Sequence, residues 1–352
     1  MGLLDRKIAV IGAGSWGTAI TILLAAKGFR VSLWVYEPEL LQTMKQKPEN
    51  QLYFPGFPIE GKVDFSGDIS EVVRGSGFII LVVPSHVLRQ TLSTFKADIE
   101  NDSIIVSATK GIEVQTLKRM TEVIGELVPQ ALQQRIAVLS GPSFAQEVAQ
   151  KSPTTVVVAS ENEQVAQQVQ LLFNTPHFRT YTNTDVVGVE IGGSLKNVIA
   201  IAAGTSDGLG FGNNTKAAIL TRGLSEMTRL GAAMGANPLT FAGLSGMGDL
   251  ILTCNSSLSR NYMTGYKLGK GSSLQEITAS LRTVAEGINT TRSAYKLSHQ
   301  VQVEMPIVDQ VFSLLFEGKR PSLAVVELMK RKLKKEHRQI ISLITKNKKS
   351  EK

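Results

Sequence analysis

Over roughly the first 160 residues, short continuous apolar runs alternate with stretches of helical periodicity. The runs lie at residues 8–11, 31–35, 78–83, 104–107, 136–139 and 155–159 and are rich in Val and Ile. Most are uninterrupted rather than alternating, as expected of parallel strands covered by helices on both faces. A helical stretch over residues 16–27 separates the first two, and Gly28 is placed to stop it. The repetition predicts an α/β fold with a doubly wound parallel sheet. Beyond about residue 185 the strand signal ends. The rest of the chain reads as helix punctuated by Gly or Pro at 204–212, 237–238, 246–248, 269–271, 305–306 and 318–321. Three segments are therefore expected: an α/β domain over 1–185, an all-helical domain over 186–332 and a tail over 333–352.

Charge sharpens this division. The 352-residue chain carries 38 Lys+Arg and 30 Asp+Glu. Ten of the basic and two of the acidic residues fall from Lys330 onward, leaving 28 of each sign in the body. The basicity thus belongs to the tail, and the folded body does not read as a nucleic-acid binder. Leu333, Ile340, Ile341, Leu343 and Ile344 lie among the tail lysines. Such a segment would suit a basic amphipathic helix on anionic lipid, although a solubilising terminus explains the same composition and is the favoured reading. The single cysteine, Cys254, excludes an internal disulfide framework. The four histidines, at 86, 177, 299 and 337, lack metal-ligand spacing, and no metal is expected.

The apolar stretch near the N-terminus is broken by Gly12, Gly14, Ser15 and Gly17 and lacks a small-residue cleavage site, which makes it a poor signal peptide. Arg6 stands where myristoylation needs Ser or Thr. Residues 186–204 are weakly charged but contain Glu190, Lys196 and four glycines, so a buried helix is expected rather than a membrane span. The expected location is cytoplasmic.

The motif Gly12-Ala13-Gly14-Ser15-Trp16-Gly17 is a G-x-G-x-x-G fingerprint between a strand and a helix. Gly12 permits the turn, Gly14 lets a pyrophosphate approach the backbone, and Gly17 allows close helix–strand packing. In this setting it predicts dinucleotide binding. The second strand ends at Val35-Tyr36, neither acidic as NAD favours nor basic as NADP favours, and Glu37 stands at the turn before Pro38. Both NADH and NADPH remain open.

Polar clusters follow three later strands: Pro84-Ser85-His86, Thr109-Lys110-Gly111 and Ser140-Gly141-Pro142-Ser143-Phe144-Ala145. Open α/β sheets bind ligands beyond these strand ends. Lys196 lies in Gly192-Gly193-Ser194-Leu195-Lys196-Asn197-Val198, within a stretch almost free of charge. Burial there would lower its pKa and suit it to proton transfer, and the paired glycines allow another backbone to come close. Asp249, in Gly246-Met247-Gly248-Asp249-Leu250, could orient such a lysine. Ser259-Arg260-Asn261 offers a hydroxyl, a guanidinium and an amide suited to phosphate. These polar residues also suit helix caps.

In order, Gly-Ala-Gly-Ser-Trp-Gly-Thr-Ala, Val-Val-Pro-Ser-His, Ala-Thr-Lys-Gly, Ser-Gly-Pro-Ser-Phe-Ala, Leu-Lys-Asn-Val, Gly-Met-Gly-Asp-Leu and Ser-Arg-Asn resemble the bacterial NAD(P)-dependent glycerol-3-phosphate dehydrogenase family from about Lys7 to Lys332. The resemblance implies reversible hydride transfer between NAD(P)H and dihydroxyacetone phosphate, giving sn-glycerol 3-phosphate for phospholipid synthesis, in a homodimer. It implies Lys196 as general acid/base, Lys110 as a second cation near substrate and cofactor, and Asp249 as the orienting carboxylate. Gly141, Ser143, Asn197 and Thr253 become substrate contacts, with Ser259, Arg260 and Asn261 as the phosphate clamp. Cofactor contacts would be Gly12, Gly14, Ser15, Trp16, Gly17, Tyr36, Lys110, Ala145, Arg260, Val284 and Glu286. Tyr36 departs from the basic residue or His common in the family, which puts strict NADPH preference in doubt. The alternatives are another β-hydroxyacid-type dehydrogenase and a non-catalytic dinucleotide sensor. A sensor would not need Lys110, Lys196, Asp249 and Arg260 as a set.

Overall fold

The computed structural model describes residues 3–280, 285–333 and 335–336. It divides into two compact units, Met1–Thr109 with Met120–Val186, and Lys110–Arg119 with Val187–Lys352. The ten residues Lys110–Arg119 fall inside the span expected for the α/β domain but group with the helices.

In the α/β unit the strands are β1 (Lys7–Ile11), β2 (Val31–Trp34), β3 (Val63–Ser66), β4 (Ser76–Leu81), β5 (Ile104–Ser107), β6 (Ile136–Ser140), β7 (Thr154–Ala159) and β8 (Phe178–Asn183). The helices are α1 (Ser15–Ala26), α2 (Pro38–Gln46), α3 (Ile69–Val73), α4 (Leu88–Phe95), α5 (Met120–Leu127), α6 (Gln130–Gln133), α7 (Ala145–Ala149) and α8 (Glu163–Phe173). One sheet results, ordered β3-β2-β1-β4-β5-β6-β7-β8. Its first six positions follow the Rossmann dinucleotide-binding order, with the switch point between β1 and β4. Ile8, Val10, Phe78, Ile80, Ile104 and Val106 are wholly buried in the central strands. Truncating one of the larger of these to Ala would cost about 2–5 kcal/mol.

Two features depart from the expected sheet. The β6–β7 pair is antiparallel. The helix between them, α7, has five residues and spans about 7 Å, too short to carry the chain back along a strand and begin a parallel one. The edge strand β3 and the terminal strand β8 are additional. Along β8, Phe178 and Thr180 are buried while Arg179 and Tyr181 are exposed. Both strands carry polar residues on one face, so neither shows the continuous apolar run that marks the sheet centre.

The helical unit comprises α9 (Val186–Gly208), α10 (Asn213–Ala233), α11 (Asp249–Cys254), α12 (Arg260–Gly269), α13 (Leu274–Ser280), α14 (Glu286–Gln300), α15 (Pro306–Phe316) and α16 (Pro321–Met329). Among the described helices, α9 is long and apolar enough to cross a membrane by length and composition, but 89% of its most apolar window is buried. Ile191, Leu195, Val198 and Ile199 lie in the core of this unit, so α9 is the core helix that the sequence suggested. A side chain at Gly265 of α12 would meet the Ile201 carbonyl of α9 at 2.0 Å. This close seam sets Asn261 of α12 beside Asn197 of α9. On another side, the buried Glu226 carboxylate of α10 accepts from the Ile307 and Val308 amides at the start of α15. Burial pushes that carboxyl up to about 7. In the tail, Leu333 is fully exposed, while residues 334 and 337–352 lie outside the described residues.

Candidate active site

The two units hold different kinds of functional group. In the helical unit a fully buried carboxylate joins two lysines. Asp249 Oδ1 accepts from Lys196 Nζ at 2.5 Å, and Oδ2 accepts from Lys110 Nζ at 2.7 Å. Lys196 also donates to Thr253 Oγ1 at 2.8 Å, and that hydroxyl donates to the Asp249 carbonyl at 2.6 Å. An ammonium has three N–H donors. Two on Lys196 are used, and one is left for a ligand. Lys196 is 8% exposed and Asp249 0%. Burial pushes Lys196 down to about 8; Asp249 opposes that shift and the Lys110 charge adds to it. The group is thus set to exchange a proton near neutral pH.

Local sequence explains how the cluster is assembled. Residues Leu244–Gly248 form a π-helical turn, a distortion often found at functional sites, which leads directly into Asp249. A side chain at Gly192 would lie 2.6 Å from the Ser245 carbonyl. The backbone admitted by the Gly192-Gly193 pair is therefore the one that carries Asp249 against α9.

An amide chain lies next to the lysines. The Gly287 amide donates to Asn261 Oδ1 at 2.9 Å, and Asn261 Nδ2 donates to Asn197 Oδ1 at 2.9 Å. A backbone N–H can only donate, so it fixes the orientation of both side-chain amides. Asn197 consequently offers Nδ2, a donor. Ser259 caps α12 by accepting from the Tyr262 amide at 3.2 Å. Its side chain therefore does the capping work that its residue type allowed. Arg260 is the first residue of α12 and is exposed; Glu286 opens α14 and interacts electrostatically with it. Val284 lies outside the described residues.

In the α/β unit the candidate groups are mainly backbone. The glycine loop follows β1 at the switch point. Gly12 has φ +121°, and a side chain at Gly17 would sit 1.9 Å from the Gly12 carbonyl. Around Gly14 a side chain would meet nothing within 4 Å, and the first turn of α1 has no side-chain cap. Open space in front of uncapped helix amides suits a diphosphate. Ser15 Oγ donates to the Tyr53 carbonyl at 2.6 Å, while Trp16 packs against the sheet core. Tyr36 is 74% exposed beyond β2, with its ring edge-on to Trp34. Glu37 Oε1 accepts from Tyr53 Oη at 2.7 Å, so this carboxylate is tied to the loop beside the glycines. Past β6, Gly141 has φ +126° and Ser143 Oγ donates to its carbonyl at 3.1 Å. Ala145 begins α7, which packs on α1.

Some relevant residues were not evident from sequence. Asn50 is wholly buried and donates to the Ala13 carbonyl and to Thr18 Oγ1, bracing the glycine loop from more than 30 residues away. Arg119 Nη1 donates to Glu190 Oε2 at 2.7 Å, and Gly287 orients the amide chain. Each acts through a distant partner, and no local pattern marks it.

Comparison with known proteins agrees with both units. A family model described as NAD-dependent glycerol-3-phosphate dehydrogenase N-terminus matches residues 7–166, and its C-terminal counterpart matches residues 185–326. A glycerol-3-phosphate dehydrogenase (NAD(P)+) from Citrifermentans bemidjiense is 54% identical over 331 residues, covering 94% of this chain and 99% of the relative. One from Geobacter metallireducens is 53% identical over 333 residues, covering 95% and 99%. The crystal structure of glycerol-3-phosphate dehydrogenase from Coxiella burnetii superposes with TM-score 0.89 at 38% identity, covering 93% of this chain and 99% of that one. With matches across both units and more than half of its residues shared with full-length relatives, the chain belongs to the NAD-dependent glycerol-3-phosphate dehydrogenase family.

Proposed function

We propose that this protein catalyses reversible hydride transfer between NAD(P)H and C2 of dihydroxyacetone phosphate, forming sn-glycerol 3-phosphate for glycerophospholipid synthesis. The observation that carries this reading is the Lys110–Asp249–Lys196 cluster, in which one buried carboxylate holds two ammonium groups. Bound NAD(P)H supplies the hydride. The chain supplies the proton and the charge. The remaining Lys196 N–H donates to the C2 oxygen as negative charge develops there, and Lys110 stabilises that charge beside it. Asp249 holds both lysines, and Thr253 fixes the direction of the Lys196 ammonium. In the oxidative direction neutral Lys196 takes the hydroxyl proton.

The Asn197 donor and the Arg260 guanidinium, with Asn261 and Ser259 behind them, serve the phosphate end. Gly141 and Ser143 are further substrate contacts. Gly12, Gly14, Ser15, Trp16, Gly17, Tyr36, Ala145, Arg260, Val284 and Glu286 hold the dinucleotide, with the diphosphate at the start of α1. A homodimer in the cytoplasm, whose nucleotide domain is 1–185 and substrate domain 186–332, completes the proposal.

Following absorbance at 340 nm tests it, with dihydroxyacetone phosphate and unphosphorylated dihydroxyacetone against NADH and NADPH, and with 3-hydroxy acids against NAD+ and NADP+. Oxidation of either cofactor by the phosphorylated ketone alone is expected. Equal turnover of the unphosphorylated ketone would remove the phosphate clamp from the account. Turnover of a 3-hydroxy acid instead would move the enzyme to another reaction, and folded, cofactor-binding protein with no turnover would favour a sensor.

A further inference from the structure

Lys110 reaches Asp249 by an unusual route. It follows β5 and precedes α5, both in the α/β unit, yet the segment Lys110–Arg119 groups with the helical unit. This segment closes on itself. Ile112 and Arg119 form an antiparallel bridge, the Glu113 amide donates to the Lys118 carbonyl at 2.9 Å, and the Leu117 amide donates to the Glu113 carbonyl at 2.9 Å. Leu117 takes the left-handed conformation at φ 61° to make the turn, a rare one for a branched side chain.

Two further contacts fasten this closed segment to the helices. Ile112 is buried in the helical core, and its carbonyl accepts from Ser293 Oγ of α14 at 2.9 Å. Across the bridge, Arg119 pairs with Glu190 of α9, with side-chain exposures of 13% and 4%. α9 also carries Lys196, six residues further on.

We propose that the Arg119–Glu190 ion pair is a positioning device for Lys110, pinning the closed segment to the helix that bears Lys196 and so fixing where the second ammonium stands. The inference rests on the reading of Lys110 and Lys196 as the two cations at the reacting oxygen. A backbone bridge links Arg119 to Ile112, and Lys110 is only two residues from Ile112. Displacing Arg119 therefore moves Lys110 with little chain in between to absorb the shift. In this reading the pair bears on the reaction through Lys110.

The test compares wild type, Lys110→Met, the double variant Arg119→Met/Glu190→Leu, and the triple combination. Removing both charges together avoids leaving either one buried without the other, which is less disruptive than a single change. Around Lys196 stand Asp249 and Thr253 of α11, Lys110 of the closed segment and the neighbouring Cys254 thiol. Loss of the Lys110 charge from this set raises the Lys196 titration midpoint. The double variant is expected to lower kcat for ketone reduction by on the order of 10²-fold, the scale of a small misplacement, with cofactor affinity kept. Its Lys196 midpoint, read from the 15N resonance of the lysine in substrate-free protein, should rise as in Lys110→Met. The triple variant should lose nothing beyond Lys110→Met. An unmoved midpoint with wild-type kcat makes the pair purely structural, and a loss that multiplies on top of Lys110→Met shows a route other than Lys110. Either result overturns the inference. Because the resonance needs no substrate, a wild type inactive on the phosphorylated ketone would refute the functional reading separately.

Discussion

The α/β unit and the helical unit meet the demands of one reaction by opposite means. In the α/β unit the candidate site is mostly backbone: a turn with a positive φ at Gly12, an uncapped helix start, and strand ends with small residues. Its core, the glycine loop and the start of α1, comes from contiguous sequence. In the helical unit the site is mostly side-chain charge, and Lys110, Lys196, Asp249 and Arg260 come from four separated segments, with burial setting the chemistry of Lys196. A dinucleotide's diphosphate is large and permanently charged, so fixed amide donors can hold it. A proton must move during turnover, which requires a group whose charge is nearly balanced between two states. The first task needs shape and the second needs a tuned pKa.

The comparison breaks most severely at Lys196. Lys196→Ala should lower kcat by about 10²–10⁴-fold, the usual range for a general acid/base, while the dissociation constant for NADPH measured by fluorescence titration stays within a few-fold of wild type. Normal turnover would move proton transfer to another group. Next comes Gly17→Val, which forces side-chain atoms into the Gly12 carbonyl. Cofactor binding should fall at least tenfold, by roughly 1.4 kcal/mol or more, and the melting temperature should drop, whereas Lys196 keeps its titration. If instead kcat alone collapsed, the division of labour between the units would be wrong.

The pH dependence sharpens the contrast. As the proposed proton donor, Lys196 must be protonated for ketone reduction, so that rate should fall as pH rises through about 8. Alcohol oxidation needs the neutral amine and should rise across the same interval. Cofactor affinity, which the proposal assigns mainly to backbone donors, should stay nearly flat there. Opposite limbs in the two directions, measured from pH 6 to 10, are the signature. The smallest effect is expected at Tyr36, whose exposed ring offers no charge to a 2′-phosphate. Tyr36→Arg should raise the NADPH to NADH ratio of kcat/KM by about tenfold or less, in line with one exposed charge–phosphate contact, and should leave kcat for either cofactor unchanged.

Much of this organisation is legible in the chain. Continuous Val/Ile runs mark the central strands because both faces of those strands are buried. The glycine fingerprint is legible because its steric needs are local: Gly17 is required by Gly12, five residues away. A lysine in a helix with hardly any other charge also announces itself, and Lys196 is buried as that composition suggests. The polar strands β3 and β8 are less visible, since strands with one polar face resemble loops, and the antiparallel β6–β7 pair follows from the short reach of α7.

Sequence alone, then, determined the two-unit plan, the central strands and the glycine loop after β1, and it displayed the charged residues from which the proposed site is built. Tertiary structure decided what those residues touch. It joined Lys110 and Lys196 through Asp249 across 139 and 53 residues, drew Lys110–Arg119 into the helical unit, and fixed the orientation of the Asn197 amide through Asn261 and Gly287. The physical reason is that steric and periodic constraints act over a few neighbouring residues, whereas desolvation and charge pairing depend on which distant side chains share the same buried volume.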